Sequence, residues 1–137
     1  MNDDLFELGL AKRREVLGAE YVDRAMESAD DFSRDFQRFM TEYCWGGVWG
    51  GAALDDRQRS LNNLSILATL GRMEEFELHL RGALRNGVTV AELREVLLQT
   101  VVYCGIPAAH TAFKVAQEVL GPFPDRPPQA GEGRKSG

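Results

Sequence analysis

Lysine is scarce in this chain of 137 residues. It stands only at positions 12, 114 and 135, so nearly all of the 16 basic side chains are arginine. With a net charge of −5 there is no broad basic face, which argues against nucleic acid as a partner. Cysteine is scarcer still. Cys44 and Cys104 lie far apart, in neither a metal nor a redox spacing, and read as free thiols of a protein in the reducing cytoplasm. No apolar run approaches the roughly 20 residues that cross a bilayer, so no membrane partner is expected. No charged-then-apolar leader opens the chain. A solenoid-length repeat and a phosphate-cradling glycine loop are missing too.

What is present is an ordinary globular composition, 44% hydrophobic and 27% charged, long enough to bury a core. Arginine offers a rigid fork for carboxylates, which suits an anionic small-molecule ligand; genomic composition bias explains the same usage as well. The stretch Arg57 to Val102 predicts helices joined by short connections. Leu61, Leu64, Leu67 or Ala68, and Gly71 recur at three- and four-residue steps. Phe76, Leu80, Ala83 and Leu84 repeat the pattern between Met73 and Asn86, and Asn86-Gly87 stops it. Thr89 with Glu92 fits a capping box ahead of Leu93, Val96, Leu97, Thr100 and Val101. Connections this short make neighbouring helices antiparallel.

Upstream, Leu5–Leu17 and Ala19–Ala29 predict two helices with Gly18 between them. Downstream, Gly105-Ile106-Pro107 breaks the chain, and Pro107 opens a last helix through Leu120. Residues 1–120 therefore read as one all-α domain, a compact bundle of about six to seven helices. Gly121 to Gly137, mostly proline, glycine and charge with almost nothing to bury, reads as a disordered tail.

Phe32, Phe36, Phe39, Met40 and Tyr43 form an aromatic stripe at helical spacing, expected to be core. Thr41 to Gly51 follows, with four glycines beside Trp45 and Trp49. That composition disfavours a continuous helix and suggests either a water-excluding lid over a pocket or an aromatic plug between subunits. Gln58, Asn62, Ser65 and Thr69 make a polar stripe flanked by Arg59 and Asn63, expected to be a solvated face.

Few groups offer chemistry. His79 lies four residues after Glu75, so a carboxylate there would orient the imidazole and favour its charged form. Arg72 falls on roughly the same side. Glu42, just before the glycine–tryptophan segment, is a second acid/base candidate if the aromatic rings cover it. Cys104 and His110 are close in sequence, but the proline turn between them hides their geometry, and Cys104 reads as a small buried hydrophobe.

The segments LATLGRMEEFELHLRGALRNGVTVAELREVLLQTVVYCGIPAA, RREVLGAEYVDRAM and TEYCWGGVWG resemble the carboxymuconolactone decarboxylase family, in its 4-carboxymuconolactone decarboxylase branch. The resemblance spans roughly Leu5 to Leu120. Relatives similar to alkylhydroperoxidase D carry a Cys-x-x-Cys-x-x-x-His run where this chain has Arg72, Glu75 and His79. The histidine is kept and both cysteines are replaced, which removes the redox pair. The resemblance implies an AhpD-like helical fold and loss of CO2 from a small dicarboxylate lactone, with no cofactor and no metal, in aromatic catabolism. It implies homo-oligomers, trimers or hexamers. His79 would then be the oxyanion or proton donor, Glu75 its orienting group and Glu42 the second acid/base group. Arg59 and Arg72 would hold carboxylates, with Arg81 or Arg85 as alternatives. Tyr43, Trp45, Trp49 and Cys104 would line the pocket. A thiol-dependent peroxidase and a non-catalytic or different-lactone relative are the competing readings.

Overall fold

The computed structural model describes residues 2–122, and these form seven α-helices and one π-helical segment without any strand. The order is α1 (Asp3–Leu17), α2 (Ala19–Glu27), α3 (Arg34–Phe39), the π segment (Met40–Val48), α4 (Asp56–Leu70), α5 (Met73–Arg85), α6 (Val90–Cys104) and α7 (Ile106–Leu120). The all-α bundle expected from periodicity is what the chain adopts. Most of the expected tail, from position 123 on, lies outside the described residues.

Local chemistry sets the helix ends. At α6 the Thr89 hydroxyl accepts from the Glu92 amide at 3.1 Å, and the Glu92 carboxylate accepts from the Thr89 amide at 2.9 Å. A second capping box, Asp55 with Gln58, starts α4 in the same way. Gly71 ends α4 at φ 71°, a left-handed conformation that a side chain resists.

Two apolar clusters build the interior. Leu64, Ala68, Phe76, Leu80, Ala83, Leu93, Leu97, Ala112 and Ala116 join α4 to α7. Val16, Leu17, Val22, Trp45 and Trp49 join α1, α2 and the π segment. Helix α5 serves both, giving Phe76 and Leu80 to the first and Leu78 to the second. His79 therefore sits where the two clusters meet.

Two expectations need correction here. Apart from Met40, which packs on the second cluster, the aromatic stripe is not core: Phe32 is 96% exposed, and Phe36, Phe39 and Tyr43 are all above 60%. Helical spacing shows that a face is apolar, not what covers it. The glycine–tryptophan stretch is helical for most of its length, continuing from α3 in the wider π form through Val48 and ending before Gly50-Gly51, with both tryptophans buried. Gly46 serves close packing against α1, as Gly9 of α1 does in return. A Cβ on Gly9 would run into the Thr41 carbonyl and come within 2.7 Å of the Gly46 amide nitrogen, and one on Gly46 would strike the Leu5 carbonyl. Backbone meets backbone at this crossing, so the segment is a fixed inner wall.

Candidate functional site

The helical step from Glu75 to His79 points the imidazole inward against the π segment. There it joins an aromatic stack. The Trp45 ring lies 6.0 Å from the imidazole, centroid to centroid, at 5° to its plane, and the Trp49 ring lies at 6.2 Å and 24°. The two indoles stack on each other at 4.7 Å. From α4, the Asn63 amide nitrogen meets His79 Nδ1 at 3.1 Å. With that amide donating, Nδ1 accepts and the ring proton resides on Nε2.

Burial dominates the electrostatics of the ring. It lowers the His79 pKa from 6.5 to about 4, against the field of Glu75, which raises it. The expected charged imidazole is thus a neutral one near pH 7. Glu75 is exposed and makes no hydrogen bond to the ring, so Asn63 is the orienting group. In sequence Asn63 only flanks a polar stripe, because its contact with His79 runs from one helix to another.

Arg59 stands one turn before Asn63 on α4. Its Nη2 donates to the Gly51 carbonyl at 3.3 Å, two residues beyond Trp49, and its buried Nε has no hydrogen-bond partner among the described residues. The guanidinium is thus tethered by one corner, with one donor left unspent. Ile66 and Leu70 continue the same row of α4 as exposed apolar residues.

The other expected site residues lie elsewhere. Glu42 is taken up by the Asn2 amide at 2.8 Å and faces Arg38 Nε at 3.8 Å, so its carboxylate serves the start of α1. Tyr43 is exposed and stacks on Phe39 at 5.5 Å. Arg72 is exposed at the N-cap of α5. Cys104 is exposed rather than buried, and its sulfur lies 3.2 Å from the Thr69 hydroxyl. That hydroxyl donates to the Ser65 carbonyl at 2.8 Å, leaving its lone pair to accept the thiol proton. Cys104, Thr69, Ser65 and Asn62 line a groove of about 380 Å³ between α4 and α6, so the polar stripe is one wall of a groove. Cys44 and Cys104 are both free, and burial pushes the Cys44 thiol up.

The pattern of one sequence family, described as the carboxymuconolactone decarboxylase family, matches residues 34–118, from α3 into α7. The chain belongs to the carboxymuconolactone decarboxylase family. The matched span holds Trp45, Trp49, Arg59, Asn63 and His79, so the whole cluster lies in the family's own segment. Two relatives cover nearly the full length. A 4-carboxymuconolactone decarboxylase of Acinetobacter baylyi is 42% identical over 130 residues, 92% of this chain and 97% of that protein. A nitrosuccinic acid decarboxylase of Metarhizium robertsii is 42% identical over 122 residues, 89% of this chain and 85% of that protein. A second 4-carboxymuconolactone decarboxylase, from Pseudomonas putida, is 39% identical over a shorter stretch of 41 residues. Among the described residues, no helix of this carboxymuconolactone decarboxylase family member is long and apolar enough to cross a membrane.

Proposed function

We propose that this chain is a carboxy-lyase that removes CO2 from 4-carboxymuconolactone, giving the β-ketoadipate enol-lactone of protocatechuate breakdown in the cytoplasm. The near-full-length likeness to the Acinetobacter baylyi decarboxylase carries this reading, and the site chemistry agrees with it. In the lactone, the departing carboxylate sits on the γ carbon. Its bonding electrons pass through the ring double bond to the lactone carbonyl as CO2 leaves. The resulting dienolate then takes one proton at the α carbon. The substrate supplies its own electron sink, so the protein has to hold two carboxylates, stabilise an oxyanion and admit a proton.

The cluster offers a group for one carboxylate, for the oxyanion and for the proton. Arg59, with its unspent Nε, receives a substrate carboxylate. The Nε2–H of neutral His79, held by Asn63, donates to the lactone oxygen as charge develops there. Trp45 and Trp49 keep that hydrogen bond out of water, where it would be weaker. Glu75 is the carboxylate whose field reaches His79, and it is exposed, so it is the group to bring the proton in from solvent. Arg72, exposed at the N-cap of α5 and about two turns from His79, lies apart from this cluster, so the second carboxylate arm is left facing outward. The exposed aromatic stripe and the Ile66–Leu70 row are what subunits of a trimer or hexamer would cover.

A second substrate is favoured by the Metarhizium robertsii relative. Nitrosuccinic acid is also a dicarboxylate, and its nitro group takes up the electrons of a departing carboxylate just as a lactone carbonyl does. Purified protein is supplied with each acid separately, without added cofactor, and CO2 is measured. Release from the lactone at least about a hundredfold faster than the uncatalysed rate is expected, a modest demand on an enzyme. Release from nitrosuccinic acid alone would replace the lactone reading, and release from neither would end both.

A further inference from the structure

Arg13 is the one charged side chain sunk into the described interior, only 3% exposed. It takes part in no ion pair among the described residues. Its Nη1 donates to Gln37 Oε1 at 3.0 Å and to Thr41 Oγ1 at 3.1 Å, and it lies 3.6 Å from Met26 Sδ. Its Nε is buried with no partner. Burial lowers its pKa, while Tyr21 and Cys44 pull the other way. A lone cation in an apolar place is costly, and neutral hydrogen-bond acceptors offset that cost only in part.

Its acceptors are not scattered. Gln37 belongs to α3 and Thr41 to the first turn of the π segment, so the two bracket the junction where the helix widens, Phe39 to Met40. Thr41 is fully buried, and its hydroxyl donates to the Gln37 carbonyl at 2.7 Å. The hydroxyl's proton and a lone pair are both committed at the junction. Arg13 is also one turn beyond Gly9, where α1 touches the π backbone. Trp45 comes one turn after Thr41. A slip of one residue between α and π registers would swing Trp45 by about 100° around the helix axis and take it off His79.

We propose that Arg13 is a positioning residue: through Gln37 and Thr41 it holds the α-to-π junction, and so sets the angle at which Trp45 and Trp49 meet His79. The guanidinium suits the task because its planar fork is directional, where an apolar side chain would only fill space. The role rests on reading the His79 stack as the reaction site.

The test compares full-length Arg13→Met and Arg13→Lys with the parent protein. Far-UV circular dichroism reports helix content, and near-UV dichroism reports the stacked indoles. NMR titration follows the His79 ring, and turnover gives kcat and KM. Helix content should persist in both variants, while the near-UV signal falls by about half or more and the His79 midpoint moves from about 4 toward 6.5. A fall in kcat of about tenfold or more with KM within about twofold is expected, since geometry and not ligand contact is lost. Either of two results would overturn the proposal: indole and histidine signals like the parent's, or a raised KM with an intact stack, which would make Arg13 a substrate ligand. If Arg13→Met does not fold, Thr41→Val removes only the hydroxyl and should change the same spectra; parent-like spectra there would also overturn it. The spectra need no substrate. A loosened stack in a protein that decarboxylates neither acid would leave Arg13's positioning role standing and remove only the proposed reaction.

Discussion

The imidazole of His79 can be neutral beside Glu75 because desolvation outweighs a carboxylate that stays in water. The ring pKa sits near 4 against an ordinary 6.5. Between those values the unfolded chain binds a proton that the folded chain does not, so stability rises with pH across that window. The stabilisation from a neutral His79 is fully present above about pH 6.5 and is lost as pH falls through 4. Comparing melting temperatures of the parent and His79→Gln from pH 7 to 4 should show the parent falling more steeply; parallel curves would mean the ring titrates normally. Histidine and tryptophan are rare enough in this sequence to stand out, and the structure stacks His79 against Trp45 and Trp49. Sequence reasoning mistook the orienting partner. Glu75 is close along the helix, but Asn63 is close across the interface, and spacing within one helix cannot reveal a neighbour on another.

At the level of helices, stops and caps were legible because their chemistry is local: Thr89 with Glu92, Gly71, and the break before Pro107 all act within a few residues. The π segment was not legible. An extra residue per turn leaves no periodicity to recognise over nine residues, and the glycines that permit it read as flexibility. One of them, Gly46, serves the α1 crossing, where it and Gly9 let two backbones touch. Gly9→Ala should therefore destabilise the protein by about 1–3 kcal/mol, as overpacking does, because the clash is with backbone and cannot be relieved by a side-chain rotation. Thermal unfolding measures it. An unchanged melting temperature would mean that the crossing is looser than described.

For the molecule as a whole, an apolar stripe and a buried stripe look alike in sequence, and only the fold separates them. Leu64, Phe76, Leu80 and Leu97 went into the core as their spacing required, whereas Phe32, Phe36 and Phe39 did not. So much exposed aromatic surface on so short a chain fits an assembly of subunits, as proposed above. Phe36→Glu combined with Phe39→Glu should shift the mass in solution from a trimer or hexamer toward the 15.3 kDa chain, read by light scattering. Retention of the parent's mass would place the contact on another face. The bundle itself should survive, since neither ring is part of the two core clusters.

The central claim is that one neutral imidazole, fixed between two indoles and an amide, stabilises the charge left when CO2 departs. Single-turnover CO2 release from 4-carboxymuconolactone by His79→Ala, set beside His79→Gln, tests it most directly. The account predicts a rate loss of roughly 100- to 1,000-fold for alanine, the usual effect of removing one oxyanion donor, with partial recovery for glutamine through its amide N–H. Release by His79→Ala at the parent's rate would contradict it.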